Sequence, residues 1–145
     1  YDFYLIHTQA TGQDQCANLA IRLRQSGAKV WYDMDADNVN EAGMRAGLSK
    51  SRNAIFFLSK GALSRPRTPN WVVCELEWAQ ESGCNLMGVV EERKNHPGCA
   101  DVCVERDAAS SHGLEHVFND VQFIPYRLLR HEAEAMVLEL RRRAV

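Results

Sequence analysis

The sequence predicts an α/β domain built on an open, five-stranded parallel sheet in the order 2-1-3-4-5, with helices on both faces. Three observations carry that prediction. Short apolar runs alternate with amphipathic stretches along the chain, and parallel neighbours need a crossover between them. The run NAIFFLS is apolar without alternation, as a strand buried on both faces must be. Gly27 and Gly83 follow amphipathic stretches, where a helix ends on a residue that tolerates positive φ.

Taken in order, FYLIH at residues 3–7 is the first strand. From Gln13 to Ser26, Cys16, Ala17, Leu19, Ala20 and Leu23 fall at helical spacing, and Gly27 stops the helix. AKVWYD is the second strand. EAGMRAGLSKS is a weak helix capped by Asn40; Gly43 and Gly47 lower its helicity and predict a mobile segment. NAIFFLS takes the centre of the sheet. Residues 70–81, NWVVCELEWAQE, form a helix with Asn70 as N-cap and Gly83 as its stop. NLMGVVE is the fourth strand, and a long loop with little apolar content follows. VQFIPY is the fifth strand, placed at an edge by Pro125, and residues 130–143 form a last amphipathic helix.

A chain of 145 residues, 46% hydrophobic and 25% charged, fits one domain over residues 1–145 with a single substantial core. The net charge of −2 and the lack of a basic stripe give no electrostatic footprint for nucleic acid. Arg141, Arg142 and Arg143 close the last helix, where cations complement its dipole. No apolar stretch approaches the roughly 18 residues of a membrane span, and no signal sequence opens the chain. The five cysteines include Cys16, Cys74 and Cys84 within apolar-patterned elements, which suits reduced thiols in the cytoplasm. The start at Tyr1, already at the edge of a strand, leads us to expect a domain excised from a longer protein.

In a sheet of this topology the ligand crevice lies outside the carboxyl ends of the strands, beside strand 1. Thr8, Gln9, Asp33 and Ser59 fall there. The loop DMDADNVNEAGM sets Asp33, Asp35 and Asp37 at the first EF-hand positions, but Met44 stands where a bidentate Glu is required. Cys99, Cys103, His112 and His116 form C-x3-C and H-x3-H with eight residues between, a short spacer for zinc. A structural metal clip and unliganded loop side chains both fit that spacing. Cys74 sits at the margin of an apolar arc and reads as a half-buried structural thiol. The chain has no P-loop, Gly-rich dinucleotide fingerprint or G-x-S-x-G elbow.

Glu75 is the unusual charge. At about 100° per residue from Trp71, Glu75 falls at about 40°, Leu76 at about 140° and Trp78 at about 340°, all within the apolar arc. Val73, Glu77, Gln80 and Glu81 fall on the side expected to face water. One reading is structural: the carboxylate reaches a backbone N–H, Arg52 or Arg65. The other is a carboxylate at a cleft wall, with Trp71 and Trp78 offering aromatic faces to a ligand while the acid binds sugar hydroxyls. Most glycosidases need two carboxylates because the leaving alcohol must be protonated. An N-glycosidic bond to nicotinamide needs no such acid, since the pyridinium leaves as a neutral base. One carboxylate that stabilises the cationic transition state then suffices.

These residues resemble the Toll/interleukin-1 receptor (TIR) domain family over about Tyr1 to Tyr126. YDFYLIH is similar to the family's first strand, VWYD to its second, EAGM to the BB loop, and LSKGAL continues the match. The W-x-x-x-E spacing of Trp71 and Glu75 is shared with the NAD-cleaving members, found in plant immune receptors and an animal axon-degeneration protein. The resemblance implies a flavodoxin-like three-layer fold. It also implies cleavage of NAD to nicotinamide and ADP-ribose or a cyclic isomer, switched on by self-association in signalling, immunity or cell death. NAD is then substrate, and no cofactor is needed.

By that resemblance Glu75 is the catalytic glutamate and Trp71 the aromatic residue beside the substrate. Gly43 and Met44 fall on the BB loop bordering the cleft, and Thr8 and Gln9 on the first-strand loop near the phosphates. Asp33 joins the substrate-binding set from its place at the crevice, at the end of strand 2, and not from the resemblance. Family members of this type often carry arginines where Thr8 and Gln9 stand, and neither residue supplies a fixed charge. His7 is likewise unusual, and residues 93–116 do not align. Many TIR domains are instead adaptors that bind other TIR domains through the BB loop and lack the glutamate. Glu75 favours the enzyme, with NAD and further copies of the domain as partners and a homo-oligomer as the active form.

Overall fold

A computed structural model of the chain describes residues 1–33 and 40–145. The elements are β1 (Phe3–Ile6), α1 (Gln9–Gln25), β2 (Val30–Trp31), α2 (Glu41–Ser49), β3 (Asn53–Leu58), α3 (Trp71–Glu81), β4 (Asn85–Val90), α4 (Val102–Ser111), α5 (His116–Asp120), β5 (Phe123–Pro125) and α6 (Arg130–Arg143). Every strand pairing is parallel and the order is β2-β1-β3-β4-β5, the predicted topology. β3 is central and buried along its whole length, and Pro125 lies on the edge strand β5.

Side-chain alternation along the strands builds two cores. Tyr4, Ile6, Phe56 and Leu58 pack with Leu48 of α2 and with Val72 and Leu76 of α3. Phe3, Leu5, Ile55 and Phe57 pack with Cys16, Leu19 and Leu23 of α1 and with Met136 and Leu140 of α6. Helices therefore cover both faces of the sheet, the three-layer arrangement expected. α3 ends where predicted, with Gly83 at a φ of 71°.

Gly47 has a steric reason to be glycine. A Cβ there would lie 2.8 Å from Trp31 Nε1 and 3.0 Å from Tyr4 Cε2. The two rings are stacked, with centroids 4.4 Å apart, so α2 rests directly on the pair. Close packing thus offsets the low helicity at that position, and the Asn40 side chain caps α2 by accepting from the Gly43 N–H at 2.8 Å. Asp35, Asp37 and Asn38 lie outside the described residues.

Three expectations are revised. α1 begins at Gln9, four residues before the apolar periodicity does; the residue it buries in that stretch is Gly12, which has no side chain to mark the inner face. β2 keeps only Val30 and Trp31 of AKVWYD. The long loop after β4 contains α4 and α5. Its composition hid the helix: α4 buries Glu105 and Ala109 and exposes Val102 and Val104, so no apolar stripe marks its inner face.

All five cysteines are free thiols. No helix among the described residues is long and apolar enough to cross a membrane.

Candidate active site

A cavity of about 270 Å³ opens outside the C-terminal ends of β1 and β3. His7, Thr8 and Gln9 enter it from the end of β1, and Asp33 from just beyond β2. Asn40 and Met44 come from the start of α2; Gly61, Ala62, Arg65 and Arg67 from the β3–α3 connection; and Asn70, Trp71, Val72 and Glu75 from α3. This is the switch point where an open parallel sheet places its ligand.

α3 delivers Glu75 to the wall of this cavity. The Asn70 side chain accepts from the Val72 N–H at 3.0 Å, and its Nδ2 donates to the Ala62 carbonyl at 3.2 Å, tying the helix start to the preceding loop. Glu75 then faces β1, where the Tyr4 hydroxyl donates to its Oε2 at 2.5 Å. Tyr4 is its hydrogen-bond partner among the described residues, rather than Arg52 or Arg65. Glu75 is 5% exposed, and burial pushes its carboxyl up to about 8; the Tyr4 hydrogen bond opposes the shift, and the Asp33 charge adds to it. Burial and the adjacent carboxylate also push the Tyr4 hydroxyl up, so it stays a donor.

A second polar pair lies in the same cavity. His7 Nε2 and Asp33 Oδ1 are 3.6 Å apart, buried, and without a hydrogen-bond partner among the described residues. Desolvation lowers the His7 pKa against the pull of Asp33, so the ring is neutral at neutral pH. Two unpaired polar atoms in one cavity wall are costly unless something enters to meet them.

The cavity thus brings together Glu75, Trp71, Thr8, Gln9, Asp33 and Met44. Gly43 is not in its lining. Ser59 is buried beneath α1, with its hydroxyl 2.8 Å from that of Thr11. Trp78 is not in the lining: it is buried beside Trp71, with ring centroids 6.3 Å apart and the Arg45 guanidinium 4.6 Å over its own ring, leaving Trp71 as the aromatic wall. Arg67 was not read from sequence, and Arg65 was read only as a possible partner of Glu75. The signal was their place in SRPRTP, between the end of β3 and the α3 N-cap.

The remaining candidates stand apart. Burial, followed by Glu77 and Glu41, raises the Cys74 thiol, which opposes a thiolate there. No three His, Cys, Asp or Glu side chains among the described residues are grouped to hold a metal ion. α4 itself separates the zinc-like pattern: Cys103 and His112 stand at opposite ends of it, about 13 Å apart at about 1.5 Å per residue.

No protein-family model and no curated protein matches the sequence. Solved structures do match. The TIR domains of the activated Roq1 resistosome superpose with a TM-score of 0.61, covering 97% of this chain and 96% of that one, at 13% identity. The RPS4 and RRS1 TIR domain heterodimer gives 0.60, covering 99% and 98%, at 15% identity. The chain has the fold of a TIR domain. Among other similar chains, the TIR domain of the Toll-related receptor TRR-2 from Hydra magnipapillata has a TM-score of 0.53, covering 83% of this chain and 97% of its own, at 12% identity. The TIR fold here is also similar to the CMP N-glycosidase BcmB of Clostridium botulinum, with a TM-score of 0.54, covering 97% and 98%, at 14% identity.

Proposed function

We propose that this TIR-fold domain is an NAD nucleosidase that cleaves the nicotinamide–ribose bond and acts through self-association. The carrying observation is the Glu75 carboxyl, held by Tyr4 in the wall of a cavity that Trp71 also lines. Its charged form is disfavoured by burial, so a cationic ligand is what it gains most from meeting. Nicotinamide bonded to ribose is such a cation.

When the C1′–N bond breaks, its electron pair leaves with the ring nitrogen, and nicotinamide departs neutral. The Glu75 carboxylate stabilises the positive charge left on the ribose. Water adds at C1′ and gives up one proton, first to Glu75 and then to solvent, leaving ADP-ribose. Capture by a nucleophile of the same molecule gives a cyclic isomer instead. On this reading His7 Nε2 and Asp33 Oδ1 meet ribose hydroxyls, and Thr8 and Gln9 contribute at the end of β1, because all four residues line the cavity.

Similarity to resistosome TIR domains and to a CMP N-glycosidase supports this reading, although below 16% identity it establishes the fold alone. The free thiols suit a cytoplasmic setting, which belongs to the proposal. Incubation of concentrated domain with NAD, followed by chromatography, should yield nicotinamide. A non-catalytic adaptor is the second reading, favoured by the heterodimer among the similar structures. Absence of nicotinamide at high protein concentration would leave that reading in place.

Two further results are expected. The first concerns self-association, which the activated resistosome and the TIR domain heterodimer among the similar structures support. Specific activity should therefore rise with protein concentration, and strictly proportional rates would refute self-association. Trp71 packs against Trp78 and is still 39% exposed, which leaves ring surface for a planar ligand. Trp71→Ala should lower kcat/KM for NAD about tenfold, with Trp71→Phe retaining most of it. An unchanged kcat/KM in Trp71→Ala would remove the residue from the substrate.

A further inference from the structure

A second groove, of about 400 Å³, adjoins the first and shares Arg65, Arg67 and Asn70 with it. One wall is the β3–α3 connection and the other is the C-terminal part of α4, including Ser111 and His112. We propose that this groove is a subsite for the phosphorylated, non-reacting half of a dinucleotide, with Arg65 and Arg67 as the phosphate contacts. The assignment of that half rests on the nucleosidase reading; the affinity for a nucleoside diphosphate does not.

Charge availability is the first argument. Neither guanidinium has an ion-pair or hydrogen-bond partner among the described residues, whereas Arg93, Arg142 and Arg143 are committed to carboxylates. Two uncommitted guanidiniums two residues apart on one loop match adjacent phosphoryl groups, which each accept paired N–H donors. They also stand between the two cavities, as the middle of an extended substrate requires.

The second argument is preorganisation. Glu105 of α4 is 1% exposed, and its carboxylate accepts from the Leu63 N–H at 2.8 Å, the Ser64 N–H at 3.1 Å, the Gly61 N–H at 3.3 Å and the Ser64 hydroxyl at 2.7 Å. A single buried carboxylate therefore clamps one wall of the groove to the other. Arg65 follows directly on the clamped segment, so its backbone is fixed before any ligand arrives, and less ordering is needed on binding. Thr8 and Gln9 lack a fixed charge; the charge absent from that side of the cavity is present on this one.

ADP is the probe that tests the subsite without requiring cleavage. Calorimetric titration of the parent domain with ADP should show saturable binding, weakened at least about tenfold in Arg67→Ala and further in Arg65→Ala/Arg67→Ala. His112→Glu, altered only in the second groove, should also weaken it by adding negative charge to the groove that receives an anionic ligand. Glu75→Gln should bind ADP like the parent. Matching thermal melts would show that the arginine variants are folded. No binding by the parent at millimolar ADP, or equal affinity in the double arginine variant, overturns the proposal. Arginine-dependent ADP binding in a domain that releases no nicotinamide from NAD would keep the subsite and refute the nucleosidase; NAD cleavage with arginine-independent ADP binding would do the reverse.

Discussion

Glu75→Gln is expected to lower nicotinamide release by about 10²–10³-fold, the range seen when one preorganised electrostatic group is lost from an active site. The amide is nearly isosteric and its oxygen still accepts from the Tyr4 hydroxyl, so that buried donor keeps its partner. Glu75→Ala removes the same charge but strands that hydroxyl in the core, because Tyr4 is fully buried. Glu77→Gln, on the exposed side of α3, is the control and should be silent.

The same substitution should make the domain more stable at high pH. A carboxyl raised from 4.5 to about 8 binds its proton more tightly in the folded state. Its contribution is therefore fully present below about pH 4.5 and is lost as pH rises toward about 8. The glutamine variant does not titrate, so its stability advantage over the parent should widen across that interval. At about 1.4 kcal/mol per pKa unit the full change is about 5 kcal/mol. Urea melts at pH 5 and pH 8.5 read the difference directly. An activity loss accompanied by a stability loss that grows with pH would mean that the carboxylate holds the fold together, and the catalytic assignment would fail.

What the sequence made legible was periodicity, and what it concealed was contact. The strand order followed from alternating runs, and the central place of NAIFFLS from the unbroken apolar stretch between Asn53 and Ser59, because burial on two faces favours that composition. Glu75 stood out for the same reason, as a charge inside an apolar arc. Its partner did not, since Tyr4 lies 71 residues away and shows only the aromatic character of any core strand. Val73 was assigned to the solvent side yet is 7% exposed, in one cluster with Ala109, Leu114 and Val117. That part of the core comes from the region after β4, whose helices were themselves unread. Glu105 explains both omissions: a helix whose inner face is marked by a carboxylate has no amphipathic signature, and the loop it binds shows its need only as backbone N–H groups. Topology led to the end of β1, where the cavity opens, but it did not lead to Arg67, and Arg65 was read only as a possible partner of Glu75.

The pH profile of NAD cleavage should carry the Glu75 shift in its shape. kcat/KM reports ionisation in the free enzyme. With a carboxyl at about 8 that must be ionised to act, it should climb about tenfold per unit from pH 6 and level off near pH 8. His7 is lowered from its ordinary value and so stays neutral through most of that climb. The groups acting on Glu75 fix how the inflection moves. Tyr4 stabilises the carboxylate, so Tyr4→Phe should move it upward; the Asp33 charge destabilises it, so Asp33→Asn should move it downward. Subtracting the rate of Glu75→Gln at each pH removes the spontaneous hydrolysis of NAD in base. A flat profile from pH 6 to pH 8 would mean that Glu75 is ionised throughout and not desolvated as its burial requires. An inflection that moved in neither variant would belong to a different group. Opposite displacements in the two variants, from one parent curve, would assign the titration to a carboxyl lying between a tyrosine that donates to it and an aspartate that repels it.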